Sequence, residues 1–470
     1  MKKLGRFASL CIGAFFLALT LSLSSHAQSA SQEVQGVRVA VDTVWVLISG
    51  VLVFFMQTGF AMLEAGLIRR TGVVNCLLEN FIDAALTAIA FWFTGFALAF
   101  GQSVGGIFGS THFMLLDAIQ WGNGAVEYAA GADGAEIGIS RLSFFFFQFA
   151  FSATASTITT GAMAERTNFV GDLIYCFVLG AFSYPIVVHW VWNSEGWLQK
   201  IGYLDFAGSS VVHTFGGVTA LIGAFLLGKR ANRDWEQLPP GHNMALATLG
   251  TLILWFGWYG FNAGSTLGTG NDGLIGLVMV NTTLAAAAGA LTSIIYVYSR
   301  IQKWHLFVSL NGTLAGLVGV TAGCAYIAPW AAIVIGAISG VLVIMSADYI
   351  ESLRIDDPVG AFSVHGSCGI FGTVMVGLLA QPQLTPRGQG GVFFGNGTFW
   401  LIQVTGVLSI TIFAAVSALI LFGTLKYLNL LRVPPAADKY GIDVYEHGAS
   451  AYPDTYSIDE SLIKMLEEED

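Results

Sequence analysis

Runs of about twenty apolar residues recur along the chain between short polar breaks, and that length is what a helix needs to cross a bilayer core about 30 Å thick. Eleven such runs follow the first forty residues, at about 42–66, 79–101, 142–164, 169–192, 206–228, 243–264, 275–299, 304–324, 329–348, 360–380 and 399–430. The pattern predicts an all-α polytopic membrane protein. The basic residues then orient it. The loops after runs 1, 3, 5, 7 and 9 hold Arg69, Arg70, Arg166, Lys229, Arg230, Arg233, Arg300, Lys303 and Arg354, against Arg141, Lys200 and Arg387 on the opposite loops. Because cytosolic loops carry the basic excess, the N-terminus is expected outside and the C-terminus inside.

Residues 1–27 read as a cleaved signal peptide: Lys2, Lys3 and Arg6, an apolar run from Phe7 to Leu23, then a small-x-small site at Ser25-His26-Ala27. Two polar pieces flank the spans, a Gly-rich outer loop at about 102–140 and a cytosolic tail at 432–470. In the tail, Ser457-Ile-Asp-Glu460 has the form of a capping box before a short apolar stripe and an acidic end, which suits either a regulatory helix or a solvated terminus.

Composition agrees with this reading. Of 470 residues, 55% are hydrophobic and 11% charged, and the 57 glycines suit helices packed closely in a membrane. The formal charge of −10 comes without a basic run, which sets nucleic acid aside. Five cysteines lack metal-like spacing and suggest no disulfide framework.

An internal match changes the picture. DFAGSSVVH at 205–213 and DPVGAFSVH at 357–365 each place an acid eight residues before a histidine. Five spans separate them, so the two halves are expected to be inverted repeats, about 42–228 and 243–380, with the run at 399–430 as an extra last helix. Eight residues of helix rise about 12 Å, which carries both His213 and His365 from opposite faces toward the midplane. Asp205 and Asp357 stand where spans begin, the position for capping free N–H groups rather than for holding substrate. A neutral imidazole can donate at one nitrogen and accept at the other.

Other polar and aromatic positions are individually weaker. Phe147 and Phe151 lie four apart on one helical face, as do Phe261 and Ser265, and Trp192 sits at an outer helix end. Glu64, Glu79 and Asp83 read as helix-end or interhelical hydrogen-bonding groups. The histidines lack HExxH or Cys/His spacing, which argues against a membrane enzyme with a His/Asp metal site.

These residues resemble the ammonium transporter (Amt/Mep/Rh) family, and the Amt branch in particular. The similarity runs through DFAGSSVVHTFGGVTALIGAFLLGKR at 205–230, WYGFNAGS at 258–265, GAMAERTNF at 161–169, IDDP at 355–358, VHGSCGIFG at 364–372, and LRVP with GIDVYEHG in the tail. It implies eleven spans in a five-plus-five inverted repeat and a homotrimer with one pore per subunit. It implies transport of ammonium or ammonia, with no enzymatic activity and no cofactor. On this resemblance His213 and His365 are the pore pair, Phe151 and Phe261 the gate, and Phe147, Trp192 and Ser265 the outer ammonium site. Asp205 and Asp357 are supports. Methylammonium or carbon dioxide would be neighbouring substrates, a PII-type signal protein a cytosolic partner, and the bacterial inner membrane the location. An ammonium sensor with little flux would share every one of these residues. Asn193 and Glu64 depart from residues common in relatives, where glycine and an uncharged residue stand.

Overall fold

A computed structural model of the chain describes residues 2–120, 125–130, 136–231, 233–236 and 241–453. Ten helices among them are long and apolar enough to cross a membrane. In order these are α1 (Gln32–Leu67), α2 (Arg70–Phe100), α3 (Arg141–Met163), α4 (Phe169–Ile201), α5 (Ser209–Leu227), α6 (Met244–Gly264), α7 (Gly273–Ile301), α9 (Pro329–Ser352), α10 (Phe362–Leu379) and α11 (Gly397–Tyr427). Between α7 and α9 lies the shorter α8 (Leu306–Thr321). Each of the eleven expected runs therefore meets a helix. Two short helices, α12 (Pro435–Tyr440) and α13 (Ile442–His447), follow in the tail.

Helix starts obey local chemistry. Ser140, Asn168, Asn243, Asn271 and Asn396 each cap a helix by accepting backbone N–H bonds, and Pro329 opens α9 where its missing N–H costs nothing. Some boundaries differ from the apolar runs. The helix that includes α1 is continuous from Lys2, through the expected signal segment. The α2 helix begins well before residue 79, because Asn75, Glu79, Asn80 and Asp83 are inside it and buried, and a count of apolar residues cannot see a polar helix turn covered by neighbours. The α4 helix is interrupted between Trp192 and Trp197. In the outer loop, short antiparallel pairs such as Ser103–Val104 with Phe108–Gly109 replace the plain coil that its glycines suggest. The Ser457–Glu460 segment lies outside the described residues.

The interior belongs to α3, α4, α5 and α10. The most apolar window of α3 is 83% buried and that of α5 78%, against 28% for α11, which faces outward. Small residues bring the interior helices together: a Cβ added at Gly217 of α5 would stand 2.2 Å from the backbone nitrogen of Gly366 in α10. The two helices therefore touch backbone to backbone.

At the face with the basic loops, the expected inner face, buried ions tie the helix ends together. Glu165, after α3, is paired with Arg69 after α1 and, at 2.8 Å, with Arg230 after α5. Arg230 also grips Asp356, before α10, with two bonds of 3.0 Å. The tail joins through Asp438 of α12, which pairs with Arg69 at 3.2 Å and with Arg432 and accepts from the Ala231 N–H at 2.8 Å. Asp443 of α13 accepts from the Val74 and Asn75 N–H groups at 2.9 and 2.8 Å.

Removing one member of such a set leaves buried charges short of a counter-charge. Asp356→Asn is expected to destabilise the protein by about 3–5 kcal/mol, measured by thermal unfolding in detergent. Burial by itself would raise the Asp356 carboxyl, but the guanidinium groups of Arg166 and Arg230 outweigh it and hold the group down at about 2. A carboxyl depressed in the folded state stabilises fully above its unfolded value of 3.8 and loses that contribution as the pH falls through about 2. The gap between wild type and variant should thus close between those two values, and a gap of constant size down to pH 2 would contradict the assignment.

Candidate transport pathway

Both histidines are carried by the same local construction. Asp205 accepts from the N–H groups of Gly208 and Ser209 with one oxygen and from those of Ser210 and Val211 with the other, all at 2.8–2.9 Å. Asp357 accepts from Gly360, Ala361 and Phe362 at 2.9–3.0 Å. Three residues after each acid a glycine takes a positive φ, 112° at Gly208 and 78° at Gly360, a conformation open to glycine and strained for other residues. Next comes a π-helical turn, Ser209–Thr214 in one half and Phe362–Ser367 in the other, with the histidine inside it. Both acids are therefore caps, as expected from their positions. The chain between each acid and its glycine is loop, so the interval to the histidine is not helix throughout. His213 lies four residues into its helix.

The two imidazoles nevertheless meet. Their Nδ1 atoms are 3.1 Å apart and their rings nearly parallel, 23° between planes with centroids 5.2 Å apart. One Nδ1 must carry the hydrogen and the other accept it, so the two rings have different tautomers or share a proton. Both side chains are buried. Trp258 stacks on His213 at 5.0 Å and 20°, fixed by its own Nε1–H donating to Thr321 at 2.9 Å, and Phe60 lies 6.0 Å from His365.

Toward the expected outer face His213 is covered by Phe151 and Phe261, stacked at 4.1 Å and 23°, with Phe261 5.4 Å from His213. Beyond them opens a cavity of about 210 Å³ lined by Phe147, Phe151, Trp192, Ser265, Gln148 and Asp205, among others. Phe147 leans on Phe151 at 4.8 Å, and Trp192 meets Phe151 edge to face at 5.9 Å. The Trp192 Nε1–H is committed to the Asp205 carbonyl at 2.8 Å, which fixes the ring. Ser265 donates its hydroxyl hydrogen to the Phe261 carbonyl at 2.8 Å, leaving its oxygen as an acceptor. On the side of the basic loops a cavity of about 450 Å³ is lined by Asn311, Asp357, Ser363, Trp304 and His305, among others.

The seven residues of the expected pore, gate and outer site thus lie in one column, while Asp205 and Asp357 hold the helices that carry it. Asn193 ties the end of α2 to the loop after it, donating to the Ala99 and Gly101 carbonyls at 3.3 and 3.2 Å. Sequence reasoning missed Trp258 and Phe60. Trp258 stands three residues before Phe261 on the same face, which was the available signal; Phe60 offered none.

The fold is that of a mostly helical membrane protein with a stacked aromatic pair over a buried imidazole pair. The profile of the Ammonium Transporter Family matches residues 44–452. The chain is 37% identical over 469 residues to the ammonium transporter Amt2 of Archaeoglobus fulgidus, covering 94% of this chain and 95% of that one. It is 38% identical to a putative ammonium transporter of Synechocystis sp., over 93% and 95% of the two chains. Among solved structures it is similar to a sensor Amt protein, with TM-score 0.79 and 34% identity over 87% of this chain and 98% of the other. Mep2 of Saccharomyces cerevisiae matches with TM-score 0.76 and 27% identity, over 84% and 88%. The chain belongs to the ammonium transporter family, a family of multi-pass transport proteins and not of enzymes.

The Trp258 contact can be probed alone. Thr321→Val leaves the indole N–H buried without an acceptor and is expected to cost about 1–3 kcal/mol in unfolding experiments. Wild-type stability in that variant would mean that the hydrogen bond does not hold the ring.

Proposed function

We propose that this chain moves ammonium or ammonia across the membrane through the column of Phe147, Trp192, Ser265, Phe151, Phe261, His213 and His365. The observation that carries this reading is the stacked Phe151–Phe261 pair set directly above a hydrogen-bonded imidazole pair, beneath a cavity with an acceptor oxygen and aromatic faces. Ammonium donates N–H bonds to Ser265 and is attracted to the faces of Phe147 and Trp192. Potassium feels the second attraction but has no hydrogens for the first. Behind the gate a bare metal ion would lose its hydration with nothing to replace it. Ammonium instead gives up a proton and proceeds as neutral ammonia, exchanging hydrogen bonds with His213 and His365. Methylammonium, larger by one methyl group, is a poorer fit to the same site.

The same reading places the N-terminus outside after removal of residues 1–27 and the repeats at about 42–228 and 243–380. It places the last helix near 399–430 and the tail from 432 in the cytosol. It also takes the chain to work as a homotrimer in a bacterial inner membrane, its tail open to a PII-type partner. A second reading has a specific support. A structural relative is described as a sensor Amt protein, and the tail here is docked onto the inner helix ends. Sensing without flux is therefore the rival.

Proteoliposomes separate the two. Ammonium should evoke flux in the wild type, read as current or as a change in lumenal pH. His213→Ala, His365→Ala and Phe261→Ala should each fold and change that flux or its discrimination against potassium by about tenfold or more. Binding of ammonium without flux would favour the sensor. Wild-type flux and selectivity in all three variants would remove the column from the mechanism.

A further inference from the structure

Beside His365 lies a second space, of about 20 Å³, lined by Phe60, Glu64, Ile158, Gly161, Asn311 and His365, among others. It has room for one molecule the size of water or ammonia. Among its lining residues Glu64 alone carries a carboxyl, and that side chain leads away from the pore. It accepts from Asn80 at 3.0 Å and from Thr160 at 3.1 Å. Asn75, Glu79 and Asp83 follow one another at four-residue intervals and form a stripe along α2.

Glu79, Asp83 and, from α4, Asp172 are as buried as Glu64, and the ion pairs among the described residues lie elsewhere. Among the described residues one oxygen of each of these three carboxyls has no hydrogen-bond partner, and the Tyr175 hydroxyl is fully buried beside Asp172. The stripe ends at the tail, where the His447 Nε2 lies 2.8 Å from the Asn75 side-chain oxygen. Asn311 lines both this small space and the wide inner cavity, so the two routes part there.

We propose that Glu64 accepts a proton beside the pore and that the carboxyls behind it form a proton-binding branch to the inner face, while ammonia leaves through the wide cavity. The proposal rests on the pore reading above. One N–H bond of ammonium breaks and its electron pair stays on nitrogen. The proton passes over an imidazole of the pair and forms an O–H bond on the Glu64 carboxylate, and the imidazole returns to neutral. Glu64 then hands the proton to the branch and regains its charge. Carboxyl and hydroxyl groups in a packed interior pass protons without passing molecules, which is what separates this route from the wide one.

The test uses the full chain in proteoliposomes, with ammonium-evoked current and neutral ammonia flux measured separately. Glu64→Gln keeps the side-chain shape but cannot take the proton as a carboxylate does. It is expected to lower the current by about tenfold or more while ammonia flux changes by less than about twofold. Asp172→Asn, farther along the branch, should lower the current in the same selective way, and it decides the matter if Glu64→Gln does not fold. The proposal is overturned if folded variants keep the wild-type current. It is overturned equally if current and ammonia flux fall in proportion, the mark of a structural role, or if the wild type carries ammonia with no current. A wild type with neither current nor ammonia flux would instead remove the pore reading itself.

Discussion

The hydrogen-bonded imidazole pair sits at a crossing of two helices that approach closer than side chains normally allow. Gly217 and Gly366 supply that approach, since any Cβ at Gly217 would strike the partner backbone. The histidine pair, the ring stacked on it and the gate above it all take their positions from this crossing. Hydrophobic association contributes little to helix contacts in lipid, so close packing of small residues and hydrogen bonds must hold the crossing. The buried ions at the basic face serve the same end from outside, because Glu165, Arg230 and Asp356 join the ends of three interior segments.

The crossing also explains the two acid caps. A helix that starts within the interior leaves its first N–H groups in a region where water cannot satisfy them. Asp205 takes four of these donors and Asp357 three. A carboxylate so engaged has little capacity left for a passing cation. Asp205 borders the outer cavity, yet the side-chain oxygens there with capacity left to accept are those of Ser265 and Gln148.

Much of this was legible in the chain. The eleven helices follow from apolar length, and the histidine pair from two acid-to-histidine intervals of equal size in opposite halves. What escaped notice did so for physical reasons. Trp258 looked like one aromatic among many, since its role depends on Thr321 from a distant helix. Glu79 and Asp83 read as helix-end or interhelical hydrogen-bonding groups, and Asp83 does accept from Ser156 of α3, but sequence does not reveal how fully α3 and α4 bury them. The interval from acid to histidine read as helix throughout, because sequence does not reveal that a positive-φ glycine closes a stretch of loop within it.

The paired π-helical turns have one further implication. Each contains a residue more than an α-helical turn would, and loss of a residue there would rotate all that follows by about 100° about the helix axis. In α5 such a slip would swing Gly217 off its partner, and in α10 it would do the same to Gly369, which faces the Ser209 carbonyl. The length of these two helices is therefore as tightly bound as their composition. Insertions and deletions can accumulate in the outer loop at 102–140, but an indel at either histidine would disassemble the crossing even if every residue type were kept.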